Sequence, residues 1–372
     1  MRSQIPCTPP TLPVTNLDWQ RLLPWVGKAN AALARYDGML QALPDPAVLL
    51  SPITANEAVL SSRIEGTQAT LEEVLKQDAG IEQPPSRHAD IVEISNYRVA
   101  MRDAELEMDH RPLSLSLIKG VHQRLMQGAR GADKTPGEFR VDQNWIGRQG
   151  SPMSEARFVP PNPVVLPQAL DAWASYLALQ DEDPVLQVAI AHAQFEILHP
   201  FKDGNGRIGR MLIPLLLFQR GVLLRPMFYL SEYLETHRDQ YYDGLLAITK
   251  DGNWQGWLEF FMGAIVAQAD ANLTKAKMIL ALYDRLKQRF IKSTHSQFAV
   301  PALDVFFTRP IINATDFSRL AGIESRVTAN GIISQLKRDN LIVRLRASSG
   351  RTPAVFALPE LINIAEGKEI IS

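Results

Sequence analysis

Twelve consecutive residues, His199-Pro-Phe-Lys-Asp-Gly-Asn-Gly-Arg-Ile-Gly-Arg210, bring together an imidazole, a carboxylate, three glycines and two arginines. Imidazole titrates near neutrality, so His199 can take a proton from an attacking hydroxyl at working pH. Gly204, Asn205 and Gly206 lead into a helix expected to begin near Arg207. Backbone N–H groups at such a junction, with the positive end of the helix dipole, suit a phosphate. Asp203 is the loop's only carboxylate and the natural Mg ligand, because Mg binds through one or two carboxylates together with substrate phosphates. Arg207 and Arg210 stand three apart on one helix face, where both can reach the outer phosphates of a nucleotide. The implied chemistry is transfer at phosphorus, with nest, metal and arginines meeting the transition-state charge. Taken singly, a histidine at a helix end is usually structural, a Gly-x-Gly is usually a turn, and two helix arginines usually face solvent. Their joint occurrence in twelve residues is what favours a site.

Such a loop needs rigid elements on both sides. Asp183 as N-cap and Pro184 at the first helical position predict a helix over 184–198 that presents His199 at its end, where Pro200 stops it. Apolar residues at three and four spacing predict further helices over 115–125 and 166–179, within a helical run from Asp90 to about Arg289. The stretch 138–163 is rich in Gly, Pro and polar residues, with extended pieces at 144–146 and 157–159, and reads as a β-hairpin flap. Upstream, a helix over 18–43 is stopped by Pro44-Asp-Pro46, and one over 56–65 ends at Gly66. Gln83-Pro84-Pro85-Ser86 reads as a boundary. After residue 296 come a short helix opened by Asn313, a turn at Gly322, a longer helix over 324–340, and strands over 341–346 and 353–358. That order suggests a winged-helix module. The expected organisation is mainly α: an N-terminal helical region over 1–89, a helical core over 90–292 with its flap at about 143–162, and a winged helix-turn-helix domain over 297–372.

A length of 372 residues with 46% hydrophobic content supplies material for two or three cores and sets wholesale disorder aside. A net charge of -1 argues against a general role in coating nucleic acid or membrane. The single cysteine, Cys7, excludes an intrachain disulfide framework, fits a reducing compartment, and reads as inert. The start, Met1-Arg-Ser-Gln-Ile-Pro, lacks the apolar stretch of a secretory signal, and no run is long enough for a membrane span. A cytoplasmic protein with no membrane partner is expected.

The segment from His199 to Arg210 resembles the signature of the Fic family, His-Pro-Phe-x-Asp/Glu-Gly-Asn-Gly-Arg-x-x-Arg, at every defined position. Pro136-Gly-Glu-Phe-Arg140, Gln143-Asn-Trp-Ile-Gly147, Phe158-Val-Pro-Pro161 and Tyr241-Tyr242 leading to Gly252-Asn-Trp254 are also similar, so the likeness covers roughly 90–261. The resemblance implies a Fic-type helical core and transfer of AMP from Mg-ATP to Ser, Thr or Tyr hydroxyls of proteins, the protein itself among them. By match of position, His199 is the base, Asp203 the Mg ligand and Gly204, Asn205 and Gly206 the anion hole. Arg207 and Arg210 hold phosphates, and Ile208 and Gly209 lie between them in the same binding segment. Ala156, Arg157, Phe158 and Val159 dock the target backbone by β-augmentation, and Tyr241 borders the adenine pocket.

Ser61-Ser-Arg-Ile-Glu65-Gly66 resembles the inhibitory helix of one Fic subclass. Ser61 and Glu65, four apart, share a helix face. A Glu65 carboxylate paired with Arg210 would keep that arginine from the terminal phosphate, which implies autoinhibition. In the winged-helix segment, Arg326, Lys337, Arg338, Arg344, Arg346 and Arg351 suit DNA phosphates, while Asp304, Asp316, Glu324 and Asp339 offset them, and such modules also serve in dimerisation. Two rival readings stay open: a DNA-binding regulator whose core only senses nucleotide, and a relative of this fold that uses another nucleotide or removes AMP. A homodimer is compatible with any of them.

Overall fold

The computed structural model describes residues 5–131, 133–148, 150–180 and 182–371, a mainly helical chain with one small sheet. The helices in chain order are α1 (Trp19–Ala42), α2 (Pro46–Leu49), α3 (Ser51–Ile64), α4 (Leu71–Asp78), α5 (Pro85–Met108) and α6 (Leu115–Leu125). Then come α7 (Leu166–Leu177), α8 (Pro184–Leu198), α9 (Asn205–Gln219), α10 (Ser231–Thr236), α11 (Arg238–Asp251) and the long α12 (Trp254–Thr294). The C-terminal elements are α13 (Ala299–Thr308), β1 (Ile311–Asn313), α14 (Ala314–Leu320), α15 (Arg326–Arg338), β2 (Val343–Arg346), β3 (Val355–Ala357) and α16 (Pro359–Glu366). None of the described helices is long and apolar enough to cross a membrane.

The chain divides into two compact units, one made of the chain up to Asp37 with Leu60–Gly66 and Ser95–Asp270, the other of Gly38–Val59, Thr67–Ile94 and the chain from Ala271 onward. This differs from three consecutive segments, because α1, α3, α5 and α12 each contribute to both units. The expected boundary at Gln83–Ser86 is the start of a helix: Pro85 opens the 24-residue α5, a position that tolerates a missing N–H.

At the centre of the first unit lies α8, buried on nearly every side and packed against α7, α9 and α11. Its sequence, Pro-Val-Leu-Gln-Val-Ala-Ile-Ala-His-Ala-Gln-Phe-Glu-Ile-Leu, has apolar residues all round, as a fully enclosed helix must. Asp183 caps it as expected, accepting from the Val185 and Leu186 N–H groups at 3.0 and 2.9 Å. Trp173 and Trp257 bury their rings beside it and donate to the Ala191 and Ala189 carbonyls. Among its described residues the stretch expected as a hairpin holds a single bridge, Ile146 to Phe158, and a short 3-10 turn at Met153–Glu155. Pro152, Pro160 and Pro161 lack the N–H groups a longer ladder requires.

In the second unit, an antiparallel sheet of order β1-β3-β2 pairs Ile311 and Val343 with Ala357 on opposite edges of the central strand. Asn313 and Ser325 cap α14 and α15, accepting from the Asp316 and Thr328 N–H groups. Phe306, Phe317, Leu336 and Val355 are fully buried.

Candidate active site

The loop between α8 and α9 is fixed at both ends by its own backbone. His199 is the C-cap of α8 in the left-handed region, φ 46°, its N–H still bonded to the Phe195 carbonyl. Gly204, φ 75°, is the N-cap of α9, and that conformation favours glycine. Gly206 lies inside α9 with ordinary helical backbone, so its role is spatial: a Cβ there would stand 2.1 Å from Glu65 Oε1.

Two side chains far away in sequence hold the loop from outside. Arg140, 2% exposed, donates through Nε to the His199 carbonyl at 2.9 Å and through its other nitrogens to Leu198, Pro161 and Asp142 carbonyls. It thereby satisfies carbonyls left open at the end of α8. His122, from α6, stacks on Phe201 at 3.7 Å. Its Nδ1 accepts from the Gly137 N–H, which leaves the proton on Nε2, and Nε2 donates to the Asp203 carbonyl at 3.0 Å. His122 escaped notice in the sequence, where the signal was a lone histidine on the buried face of a correctly placed helix. Asn205 turns its side chain back on the loop, bonding both N–H and carbonyl of Phe201 at 2.8 Å, so only its backbone is left for an anion.

Asp203 and the arginines converge at the start of α9. The half-exposed Asp203 carboxylate accepts from the Gly204 N–H at 2.6 Å and lies 3.7 Å from Arg207. Arg207 is buried and contacts the Met126 sulfur. Arg210, 2% exposed, donates from Nε to Ser61 Oγ at 2.9 Å and from one Nη to both the Ser61 carbonyl and Glu65 Oε1 at 2.7 Å. Glu65, expected to face the same way as Ser61, thus lies over the first turn of α9 and pairs with its arginine. Burial alone would raise its carboxyl, but the charge and hydrogen bond of Arg210, with Arg207 and His199 behind, hold it below its ordinary value.

His199 is neutral at working pH: burial drives its pKa down to about 4, against the upward pull of Glu65. Its Nδ1 is buried and has no hydrogen-bond partner among the described residues. Burial lowers His122 to about 4 and His192 to about 3 as well. These folded values lie below the unfolded one, so the unfolded chain takes the protons first and stability is lost as pH falls from about 6.5 towards 4. Glu196 works the other way, because burial raises its carboxyl to about 8. Three histidines outweigh one carboxyl, and thermal melts are expected to show a loss on the order of 1–2 kcal/mol between pH 7 and 5.5; a flat or rising midpoint would contradict these burials.

Tyr241, expected to border the adenine pocket, lies in the core. It is fully buried and donates to His192 Nε2 at 3.0 Å, while His192 Nδ1 donates to the Gly209 carbonyl, so it braces α9 from behind. Tyr242, one residue on, lines a cavity under the flap with Ile146, Phe158, Ile197, Leu245 and Leu246. Part of the strand assigned to target docking is already paired. Phe158 exchanges bonds with Ile146 across the bridge, and Val159 accepts from the Cys7 N–H at 3.0 Å. Cys7 itself has its thiol pushed up to about 12 by burial, in keeping with an inert residue. Arg157 reaches over Tyr242 to pair with Asp243 at 2.7 Å.

Comparison with known proteins gives matches to two family models, Fic/DOC family N-terminal over residues 23–105 and Fic/DOC family over residues 112–217, together more than half of the chain. A probable protein adenylyltransferase of Aquifex aeolicus is 25% identical over 207 residues, 54% of this chain and 59% of that protein. Protein adenylyltransferase fic-1 of Caenorhabditis elegans is 30% identical over 133 residues, 34% of this chain and 24% of that protein. The chain therefore spans under two thirds of the length of these relatives. A crystal structure of a Fic family protein from Desulfovibrio desulfuricans matches with a TM-score of 0.59 at 21% identity, covering 93% of this chain and 97% of that one. Caenorhabditis elegans Fic-1 matches with a TM-score of 0.51 at 19% identity, over 72% and 74% of the two chains.

Proposed function

Since the chain belongs to the Fic/DOC family, we propose that it transfers AMP from ATP to a Ser, Thr or Tyr hydroxyl of a protein in a reducing cytoplasmic setting, and that Glu65 restrains it. The observation that carries this reading is the pairing of Arg210 with Glu65 at the mouth of an otherwise complete anion site. The backbone N–H groups of Gly206 and Arg207 at the start of α9, with the two arginines, receive the triphosphate. His199, neutral and at the rim of the loop, takes the proton of the target hydroxyl as its oxygen bonds to the α-phosphorus. The bond from that phosphorus to the bridging oxygen breaks, and pyrophosphate leaves. Asp203 fits Mg as the single, half-exposed carboxylate beside the phosphate site; the ion, when bound, offsets charge on the phosphate oxygens. Asp203 is the carboxylate that would hold the ion; among the described residues there is no group of three or more His, Cys, Asp or Glu that could hold one without the substrate's phosphates. A target backbone that joins the strand at Ala156–Val159 has to displace Cys7 from the Val159 carbonyl. Incubating the Glu65→Gly chain with ATP labelled on the α-phosphate, Mg and a lysate, followed by mass spectrometry, tests this reading. Adducts of AMP mass on hydroxyl side chains, on targets or on the chain itself, are expected; phosphate alone, another nucleotide's adduct or none would count against it.

A second reading concerns the C-terminal sheet and helices, which we infer to act as a winged helix from their order. From 325 to 358 the chain carries six basic residues and one carboxylate, Asp339, although the whole is nearly neutral. The outer face of α15 shows Arg326, Thr328, Asn330 and Ser334 with Val327 84% exposed, a face suited to a groove of DNA. Arg346 is committed to the Gly80 and Pro353 carbonyls and takes no part. Retention of duplex DNA that falls steeply with salt, and at least about tenfold in an Arg326→Glu, Arg351→Glu variant, is expected; retention unchanged by either would exclude it.

A further inference from the structure

Glu196 is the one acidic side chain lining the cavity under the flap, whose other walls are Ile146, Phe158, Ile197, Tyr242, Leu245 and Leu246 with the ion-paired Arg157. Its position is built rather than incidental. Oε1 is buried, finds no hydrogen-bond partner among the described residues, and rests where a side chain on Gly209 would begin: a Cβ there would stand 2.0 Å from it. Glycine at 209 therefore leaves room for a carboxyl from α8 to lie against α9. A buried carboxyl oxygen without a partner is costly, and such an atom calls for a group that completes its hydrogen bonds. The cavity adjoins the phosphate site, since Glu196 follows α8 to within three residues of His199 and feels the charges of Arg210 and Glu65.

We propose that Glu196 reads the base of the bound nucleotide, its carboxyl hydrogen-bonding the exocyclic amine and an adjacent ring nitrogen of a 6-aminopurine held between the flap and Tyr242. The inference rests on the nucleotide reading above and adds the residue that selects the base. Flat apolar walls suit a purine ring, and a single polar group is what fixes its orientation. Burial pushes the Glu196 carboxyl up to about 8, against the pull of Arg210, so near pH 7 it holds its proton and can both give and accept a hydrogen bond. The amine beside a ring nitrogen in adenine presents the complementary pair. A site built to bond such an amine discriminates against a base that lacks it.

The test measures dissociation constants by calorimetry at pH 7 on the full chain carrying Glu65→Gly, with Mg, for ATP and for the triphosphate of unsubstituted purine, which lacks only the 6-amino group. ATP is expected to bind at least about tenfold more tightly. Glu196→Ala should bring the two within about twofold of each other by weakening ATP, Gly209→Ala should do likewise by displacing the carboxyl, and Glu196→Gln should keep most of the preference. Circular dichroism and melts establish that each variant folds, and Gly209→Ala serves where Glu196→Ala does not. Equal binding of the two nucleotides by the parent, or an undiminished preference in Glu196→Ala, would overturn the assignment while leaving nucleotide transfer standing. Absence of any nucleotide binding by the parent would bring down the function itself, and the base contact with it.

Discussion

AMP incorporation should fall about a thousandfold when His199→Ala is introduced into the Glu65→Gly chain, because proton transfer by a positioned base contributes roughly 10²–10⁴ in rate. The loss should appear in kcat with nucleotide affinity nearly unchanged: the imidazole stands at the C-cap of α8, whereas the anion site is made by the first turn of α9. Radiolabel transfer at saturating ATP, read beside a nucleotide titration, checks both parts. The position is not neutral for the backbone, since alanine must adopt φ 46° where histidine already does, so some loss of stability is expected and folding must be confirmed. Incorporation within a few-fold of the parent would remove His199 from the chemistry. The limb of the rate profile assigned to this base should lie near pH 4 in the chain as it stands, in line with its depressed value.

The Glu65→Gly substitution alone should raise AMP transfer by about 30- to 150-fold, from the following balance. Arg210 is 2% exposed and bound by Ser61 twice and by Glu65 once, at 2.7–2.9 Å. Freeing it from a charged hydrogen bond of about 2–3 kcal/mol is the step that precedes phosphate binding, and that energy converts to the stated factor. Removing the carboxylate also clears the space above Gly206, where a terminal phosphate and Glu65 Oε1 would otherwise compete. The same change leaves a buried arginine with only neutral partners, so the melting temperature should drop as activity rises. Opposite movement of the two quantities is the signature of a restraint; a loss of both would mark Glu65 as merely structural, and no change in transfer would end the inhibitory reading.

How much of this was legible in the chain depended on whether the determinant was local. The cap at Asp183 and the bounds of α6 and α8 are set by residues within a turn or two, and those expectations describe what is found, while α9 begins at Asn205 rather than near Arg207. That Ser61 and Glu65 face the same way followed from helix geometry, whereas Arg210 as their partner came from the resemblance alone. Arg140 and His122 act across dozens of residues, and no spacing rule points from them to the carbonyls of His199 and Asp203. The burial of Tyr241 was out of reach for a related reason: neighbours on a helix point about 100° apart, and only the packing of α11 on α8 decides which one enters the core. Gly206 reads as backbone freedom in the sequence, yet it and Gly209 are both helical, and what each supplies is room for a carboxylate from outside α9. The start of α5 read as a boundary because proline at a helix start resembles proline in a linker.

The most direct test is a crystal structure of the Glu65→Gly chain with Mg and an ATP analogue that resists transfer. The triphosphate should lie against the N–H groups that open α9, with Arg210 turned from Ser61 onto its outer phosphate and the α-phosphorus facing His199. A nucleotide bound elsewhere, or an anion site left empty at saturating analogue, would mean that this loop does not do the chemistry ascribed to it.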